Sequence, residues 1–153
     1  MERPSLLAAV EAAGAGAFVA DTAPIIYRLE RSAPPRLIAA CDALFDAVEL
    51  GRLGCIVSAI SVAELFIRPL AVGTKAVAAV DAFFRQPMVG VGQVDADVAR
   101  SGAALVAARR LTRLPDALIA ATAGILGLPL VTGDRRLARS GVPRVLLVAD
   151  HGP

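Results

Sequence analysis

Histidine, cysteine and the large aromatics are almost missing from this chain. It has one histidine, His151, no tryptophan and one tyrosine, Tyr27. Two cysteines, Cys41 and Cys55, have neither metal-ligand nor redox spacing. A zinc site, a His-based catalytic triad and a disulfide scaffold are therefore poorly supported, and the expected compartment is a reducing one, the cytoplasm. Lysine is nearly absent too. Lys75 is the only one, so the net charge of +2 rests on arginine. That excess is too mild to specify a nucleic-acid partner. Arginine suits bidentate phosphate contacts better than lysine does, but an arginine bias also follows from a GC-rich coding sequence. Long apolar runs are missing as well. The longest, residues 117–131, contains Thr122, Gly124, Gly127 and Pro129 and is too short to span a membrane. At the N-terminus, residues 6–20 are apolar, but Glu11 interrupts them and Glu2 offsets Arg3, which argues against a secretory signal.

What the chain has in quantity is Ala, Leu and Val, within a hydrophobic fraction of 56% over 153 residues. A chain of this length forms one domain and buries roughly 70% of its unfolded surface. Hydrophobic periodicity predicts helices over residues 5–13, from Pro24 through Leu29, and over 36–50. A further helix starts at Ser61 and stops before Pro69, and others cover 75–85, 95–111 and 115–126, with a single helical turn at 135–139. Short apolar strands are predicted at 18–20, 55–57, 88–94, 130–132 and 145–148. Buried strands alternating with helices indicate an α/β fold with a parallel sheet covered on both faces.

Four acids, Asp21, Glu64, Asp116 and Asp134, stand where an apolar run gives way to a helix start. In a parallel sheet such ends share one rim. Carboxylates crowded there repel by about 4 kcal/mol per pair at ~4 Å with an effective dielectric of 20, a cost that a divalent cation would turn into a binding site. Each acid also has a local explanation. Asp21 can cap a helix, and Ser61 with Glu64 matches the capping box. Asp116 after Pro115 suits the helix dipole, and Asp134 after Gly133 suits a turn or cap. Spacing and chemistry alone reach a possible metal site and no further.

The residues around the acids extend the reading. Phe18-Val19-Ala20-Asp21-Thr22-Ala23-Pro24-Ile25-Ile26-Tyr27 resembles the opening strand and helix of PIN-domain ribonucleases, especially the toxins of VapBC-type toxin–antitoxin pairs. Ser58-Ala59-Ile60-Ser61-Val62-Ala63-Glu64-Leu65 resembles their second motif and Leu114-Pro115-Asp116-Ala117-Leu118-Ile119-Ala120-Ala121-Thr122-Ala123 their third. Leu130-Val131-Thr132-Gly133-Asp134-Arg135-Arg136-Leu137 is similar to the fourth. The motifs come in family order and cover residues 18 to about 148.

The resemblance implies a three-layer α/β/α sandwich with a central parallel sheet of about five strands. It also implies an acidic pocket that binds Mg²⁺ or Mn²⁺ and hydrolyses RNA phosphodiester bonds. Residues 18–153 would form this nuclease domain, and residues 1–17, which precede the family's usual start, an extension forming a short helix. Carried over position by position, Asp21, Glu64, Asp116 and Asp134 match the acidic positions. Asp21 and Asp116 are assigned to metal contact, direct or through water, and Glu64 and Asp134 to holding metal-bound waters. Thr22 and Thr132 are expected to fix neighbouring carboxylates. Arginines precede Asp116 (Arg109, Arg110 and Arg113) and follow Asp134 (Arg135, Arg136 and Arg139), and Arg113 and Arg135 are taken as RNA contacts. The same resemblance implies an antitoxin encoded as a separate chain and a homodimer. Two other classes are weighed: a catalytically silent module of the same fold that binds RNA or a protein, and a receiver-like phosphoacceptor. The receiver needs an acid pair at the first strand and a lysine near the last; here Asp21 is alone and Lys75 lies mid-chain.

Overall fold

A computed structural model of the chain describes residues 2–153. Its centre is a sheet of five strands, β1 (Ala17–Ala20), β2 (Gly54–Ser58), β3 (Val89–Gly92), β4 (Leu130–Thr132) and β5 (Val145–Leu147). They are ordered β3-β2-β1-β4-β5, and every pair is parallel. Eight α-helices surround them: α1 (Leu6–Ala12), α2 (Thr22–Glu30), α3 (Pro35–Glu49), α4 (Ala59–Val72), α5 (Thr74–Phe84), α6 (Ala96–Ala107), α7 (Leu114–Leu126) and α8 (Arg135–Ala138). No described helix is long and apolar enough to cross a membrane.

Strand alternation divides the core in two. Phe18, Ala20, Cys55, Val57 and Val131 enter one cluster with Leu6 and Val10 of α1, Leu44 and Phe45 of α3, and Val80 and Phe83 of α5. Val19 and Leu130 face the opposite layer, where they meet Ala117, Ile119, Ala120 and Ala123 of α7 and Leu137 of α8. Both sheet faces are therefore covered, which is why the strands read as unbroken apolar runs. Phe45 links α3 to the sheet and to α5, with ring centroids 6.0 Å from Phe18 and 5.8 Å from Phe83. The buried Thr122 of α7 satisfies its hydroxyl on the Leu118 carbonyl one turn back, at 2.9 Å. The segment before β1 belongs to this packing. The Leu6 N–H donates to the Gly152 carbonyl and the Gly152 N–H to the Pro4 carbonyl, both at 2.9 Å.

Several boundaries depart from the sequence expectation. Helix α4 starts at Ala59, because the Ser58 hydroxyl accepts the Ile60 N–H at 3.2 Å, and it runs through Pro69 to Val72. An interior proline costs about 3 kcal/mol, but Pro69 and Leu65 are buried, and the Pro69 carbonyl accepts the Gly73 N–H that ends the helix. Helix α2 begins at Thr22, with Asp21 as its cap. Helix α6 stops at Ala107, where Arg109 takes a left-handed conformation and the Arg110 N–H returns to the Leu105 carbonyl. Strand β3, an edge strand, contracts to Val89–Gly92, and Val148 leaves β5 for a short 3₁₀ turn.

Candidate functional site

The order β3-β2-β1-β4-β5 reverses direction between β1 and β4, and in open parallel sheets the crevice beyond the strand ends at such a reversal is where ligands bind. The register pairs Ala20 with Val131, so Asp21, the residue after β1, lies beside Thr132, the last residue of β4. The Asp21 N–H donates to the Val131 carbonyl at 2.9 Å. Its carboxylate accepts the Thr22 N–H at 2.8 Å through Oδ1 and the Thr132 hydroxyl at 2.7 Å through Oδ2. Asp21 is only 8% exposed. Burial pushes its carboxyl above the ordinary carboxylate range; the two hydrogen bonds oppose this, and the negative charges of Asp116 and Glu64 add to it.

Glu64 is delivered by α4, and the capping-box reading of Ser61 and Glu64 is corrected by the structure. Ser58 caps α4, while Ser61 lies inside it, fully buried with its hydroxyl unpartnered. Glu64 instead accepts the Thr22 hydroxyl at 2.9 Å. Thr22 thus links two acids, its N–H on Asp21 and its hydroxyl on Glu64.

Asp116 stands in the first turn of α7, with Arg113 Nε 3.9 Å away. Burial raises its carboxyl; Arg113 opposes the rise, and the charges of Asp134 and Glu64 reinforce it. Asp134 caps α8 by accepting the Arg136 N–H at 2.8 Å, and its own N–H donates to Thr132 Oγ1 at 2.9 Å. One hydroxyl therefore serves two acids, since Thr132 donates to Asp21 and accepts from the Asp134 backbone. Between them, Gly133 leaves no room for a side chain. A Cβ there would lie 2.8 Å from the Tyr27 hydroxyl and 3.1 Å from Ala23 Cβ. Tyr27 is a neighbour that the sequence reading did not place at the site, although it stands in the first motif. Burial raises its hydroxyl, with smaller contributions from Cys41 and Asp21.

The four predicted acids share one electrostatic neighbourhood, each facing at least one other. Among the described residues, no three acidic, histidine or cysteine side chains close to a distance that would hold one ion between them. A cleft of about 150 Å³ opens at Asp116 and Asp134, lined also by Arg110, Leu111, Thr112, Arg113, Arg136 and Leu137. Arg113, three residues before Asp116, lines the cleft with it. Arg135 is exposed and outside the lining, whereas Arg136 is in it. Which of two adjacent arginines meets a cleft depends on the rotation of α8, and nothing in their order reveals that.

A family model described as PIN domain matches residues 18–142. No curated protein matches the chain. Among solved structures, VapBC2 from Rickettsia felis, bound to a DNA fragment from its promoter, aligns with a TM-score of 0.66 at 18% identity, over 86% of this chain and 96% of that one. DNA-bound VapBC from Salmonella typhimurium aligns with a TM-score of 0.64 at 24% identity, over 86% and 97%. VapBC-5 from Mycobacterium tuberculosis, a member of the VapBC family of toxin–antitoxin systems, has a TM-score of 0.55 at 26% identity, over 86% and 97%.

Proposed function

The chain belongs to the PIN-domain family, and on that premise we propose that it is a metal-dependent endoribonuclease, the toxin of a toxin–antitoxin pair. The observation that carries the reading is the placement of Asp21, hydrogen-bonded to Thr132 across the reversal of the sheet and within reach of the charges of Glu64 and Asp116.

The residues fit a hard divalent cation. The donors are all carboxylate oxygens, and burial has already made ionisation of Asp21 and Asp116 unfavourable, a cost that a cation would relieve. Mg²⁺ binds through as few as one or two carboxylates, with waters and phosphate oxygens completing the shell. We assign Asp21 and Asp116 to Mg²⁺ or Mn²⁺, with Glu64 and Asp134 holding waters around it. When bound, the ion supplies charge neutralisation at the phosphodiester and lowers the pKa of a water. Thr132 holds Asp21 and the Asp134 backbone in register, and Thr22 holds Glu64 toward the same crevice. Arg113, 61% exposed, faces an RNA phosphate at the cleft in this reading, and the exposed Arg135, outside the cleft lining, meets the strand beyond it.

By likeness to the toxin–antitoxin complexes, the partner is an antitoxin; that it is a separate chain and that the toxin pairs with a second copy of itself belong to the same proposal. Cys41 and Cys55 are free and buried, and burial pushes the Cys41 thiol up to about 12, so neither is poised for oxidation. That suits a cytoplasmic protein.

The test is cleavage of RNA by the purified chain with Mg²⁺ or Mn²⁺, set against Asp21→Asn and Asp116→Asn. Activity that needs the metal and falls at least a hundredfold in both variants is expected. Robust cleavage by both variants, or none by the unmodified chain freed of inhibitor, would sink the proposal. Metal binding without turnover would favour the catalytically silent module.

A further inference from the structure

The carboxylates lie between two sides of unlike chemistry. On one side, the α6–α7 loop and α8 bring Arg110, Arg113 and Arg136 into the cleft with Asp116 and Asp134, three formal positive charges against two negative. On the other, the groove beside Glu64 is walled by Ile26, Leu65, Pro69 and Val80, and its only arginine, Arg68, is paired with Glu30 at 3.4 Å. Among the described residues, Glu64 has no ion-pair partner there; its carboxylate accepts the Thr22 hydroxyl. A polyanion approaching this rim meets attraction on the first side and repulsion on the second.

The arginines of the first side are free to be used. Among the described residues, neither Arg110 nor Arg136 makes a salt bridge, and the Arg113–Asp116 contact of 3.9 Å is loose and exposed. Such a pair holds by under about 1 kcal/mol, so Arg113 can exchange the carboxylate for a phosphate oxygen at little cost. Arg110 is held in place, because its Nη1 donates to the Gly141 carbonyl at 3.3 Å and a Cβ on Gly141 would come within 2.6 Å of that nitrogen. The glycine leaves room for the guanidinium and ties the α6–α7 loop to the loop after α8.

Among the described residues, three non-glycine residues have positive φ, and all are arginines: Arg31, Arg109 and Arg144. Arg31 bonds Asp42 at 2.6 and 2.8 Å, and Arg144 bonds the Gly127 carbonyl at 2.6 Å. Arg109, which closes α6 where glycine is usual, has no side-chain partner among the described residues and is exposed. Its left-handed conformation ends the helix, with the Arg109 N–H on the Val106 carbonyl and the Arg110 N–H on the Leu105 carbonyl, both at 3.0 Å, which sets Arg109 and Arg110 on the loop that leads to Arg113.

We propose that Arg110, Arg113 and Arg136 form the phosphate clamp for the RNA strand, which crosses over the α6–α7 loop and α8 and leaves the Glu64 groove free of nucleic acid. The inference rests on the nuclease reading and adds the side from which substrate binds.

The test is binding of a fluorescein-labelled single-stranded RNA by the full chain in EDTA, where no metal-dependent turnover occurs, over a range of salt. Arg110→Gln, Arg113→Gln and Arg136→Gln are each expected to weaken binding roughly three- to tenfold. Each should also reduce the steepness of log K against log salt by about 0.7, the value for one phosphate no longer neutralised on a single strand. Arg68→Gln, on the opposite side, and Arg52→Gln, before β2 at the far rim, are expected to bind as the unmodified chain does. The clamp is overturned if its three variants bind like the unmodified chain, or if Arg68→Gln weakens binding as much as they do. If the unmodified chain neither binds RNA nor cleaves it with Mg²⁺ or Mn²⁺, the nuclease reading falls and the clamp falls with it.

Discussion

Thr132 donates a 2.7 Å hydrogen bond to Asp21 across the boundary between β4 and β1, and the same hydroxyl accepts the Asp134 N–H at 2.9 Å. No other described side chain contacts two of the four acids or their backbones from a neighbouring strand end. Thr132→Val removes the donor from a buried carboxylate, and deleting a hydrogen bond to a charged group costs about 1.5–3 kcal/mol. Asp21 then becomes easier to protonate, so the acidic limb of the cleavage pH profile should move to higher pH. Thr132→Ser should restore both stability and profile. An unmoved acidic limb in Thr132→Val would show that the hydroxyl does not govern Asp21.

The crowded acids set a pH dependence of stability whose sign can be worked out. Asp21 and Asp116 both have raised values in the folded chain. Their contribution is full below the ordinary carboxylate pKa and is lost as pH rises through the raised values. Asp42 has the opposite sign, because its hydrogen bonds with Arg31 lower it, so its contribution is lost as pH falls. Without divalent metal, thermal melts should therefore peak in the mildly acidic range. Asp116→Asn should raise the neutral-pH Tm by roughly 2–4 °C, the shift expected for about 1 kcal/mol in a domain of this size.

Metal should act on the same group from the other direction. Mg²⁺ added at neutral pH should bind the folded chain and raise its Tm in proportion to the logarithm of its concentration once the site fills. The increment should be smaller in Asp116→Asn. Equal increments in the two proteins would place the ion elsewhere.

Thr22 and Glu64 interact in a way that has little bearing on stability, since their hydrogen bond is exposed. Thr22→Val should cost under about 1 kcal/mol of stability. It should lower the cleavage rate while RNA affinity in EDTA stays unchanged, because Glu64 loses its orientation and the arginine side is untouched. A parallel loss of affinity and rate would contradict that division.

Gly133 and Tyr27 are in such close approach that a methyl group cannot be added at Gly133 without displacement. Gly133→Ala should destabilise by about 1–3 kcal/mol, the usual cost of overpacking. Combining it with Tyr27→Phe should recover part of that stability, and a double-mutant cycle measures the coupling. Full additivity would mean that the approach to Ala23 decides the cost.

The elements were legible where one physical signal dominated. The unbroken apolar runs of β1, β2 and β4 reflect burial on both faces, and the all-round apolar α7 reflects its place against the sheet and α6. The misread boundaries are those where two local signals compete. Ser58 and Ser61 are both acceptable caps, and only the end of β2 selects Ser58, which leaves Ser61 buried and frees Glu64 to bond Thr22. Pro69 is a helix breaker by rule, yet its burial keeps α4 intact. Among the arginines, the place of Arg113 beside Asp116 follows from a spacing of three at a helix start, whereas which of Arg135 and Arg136 lines the cleft depends on how α8 is rotated against its neighbours.

The sequence by itself determined that four acids would each follow a strand or open a helix, because apolar periodicity and capping are properties of a few consecutive residues. That they share one rim was decided by tertiary structure alone. Placing β4 beside β1 brings Thr132 against Asp21, though they are 111 positions apart, and packing α4 and α7 over the same rim adds Glu64 and Asp116. Strand order is settled by which apolar faces can be buried together over the whole chain, and that is a sum no local stretch contains.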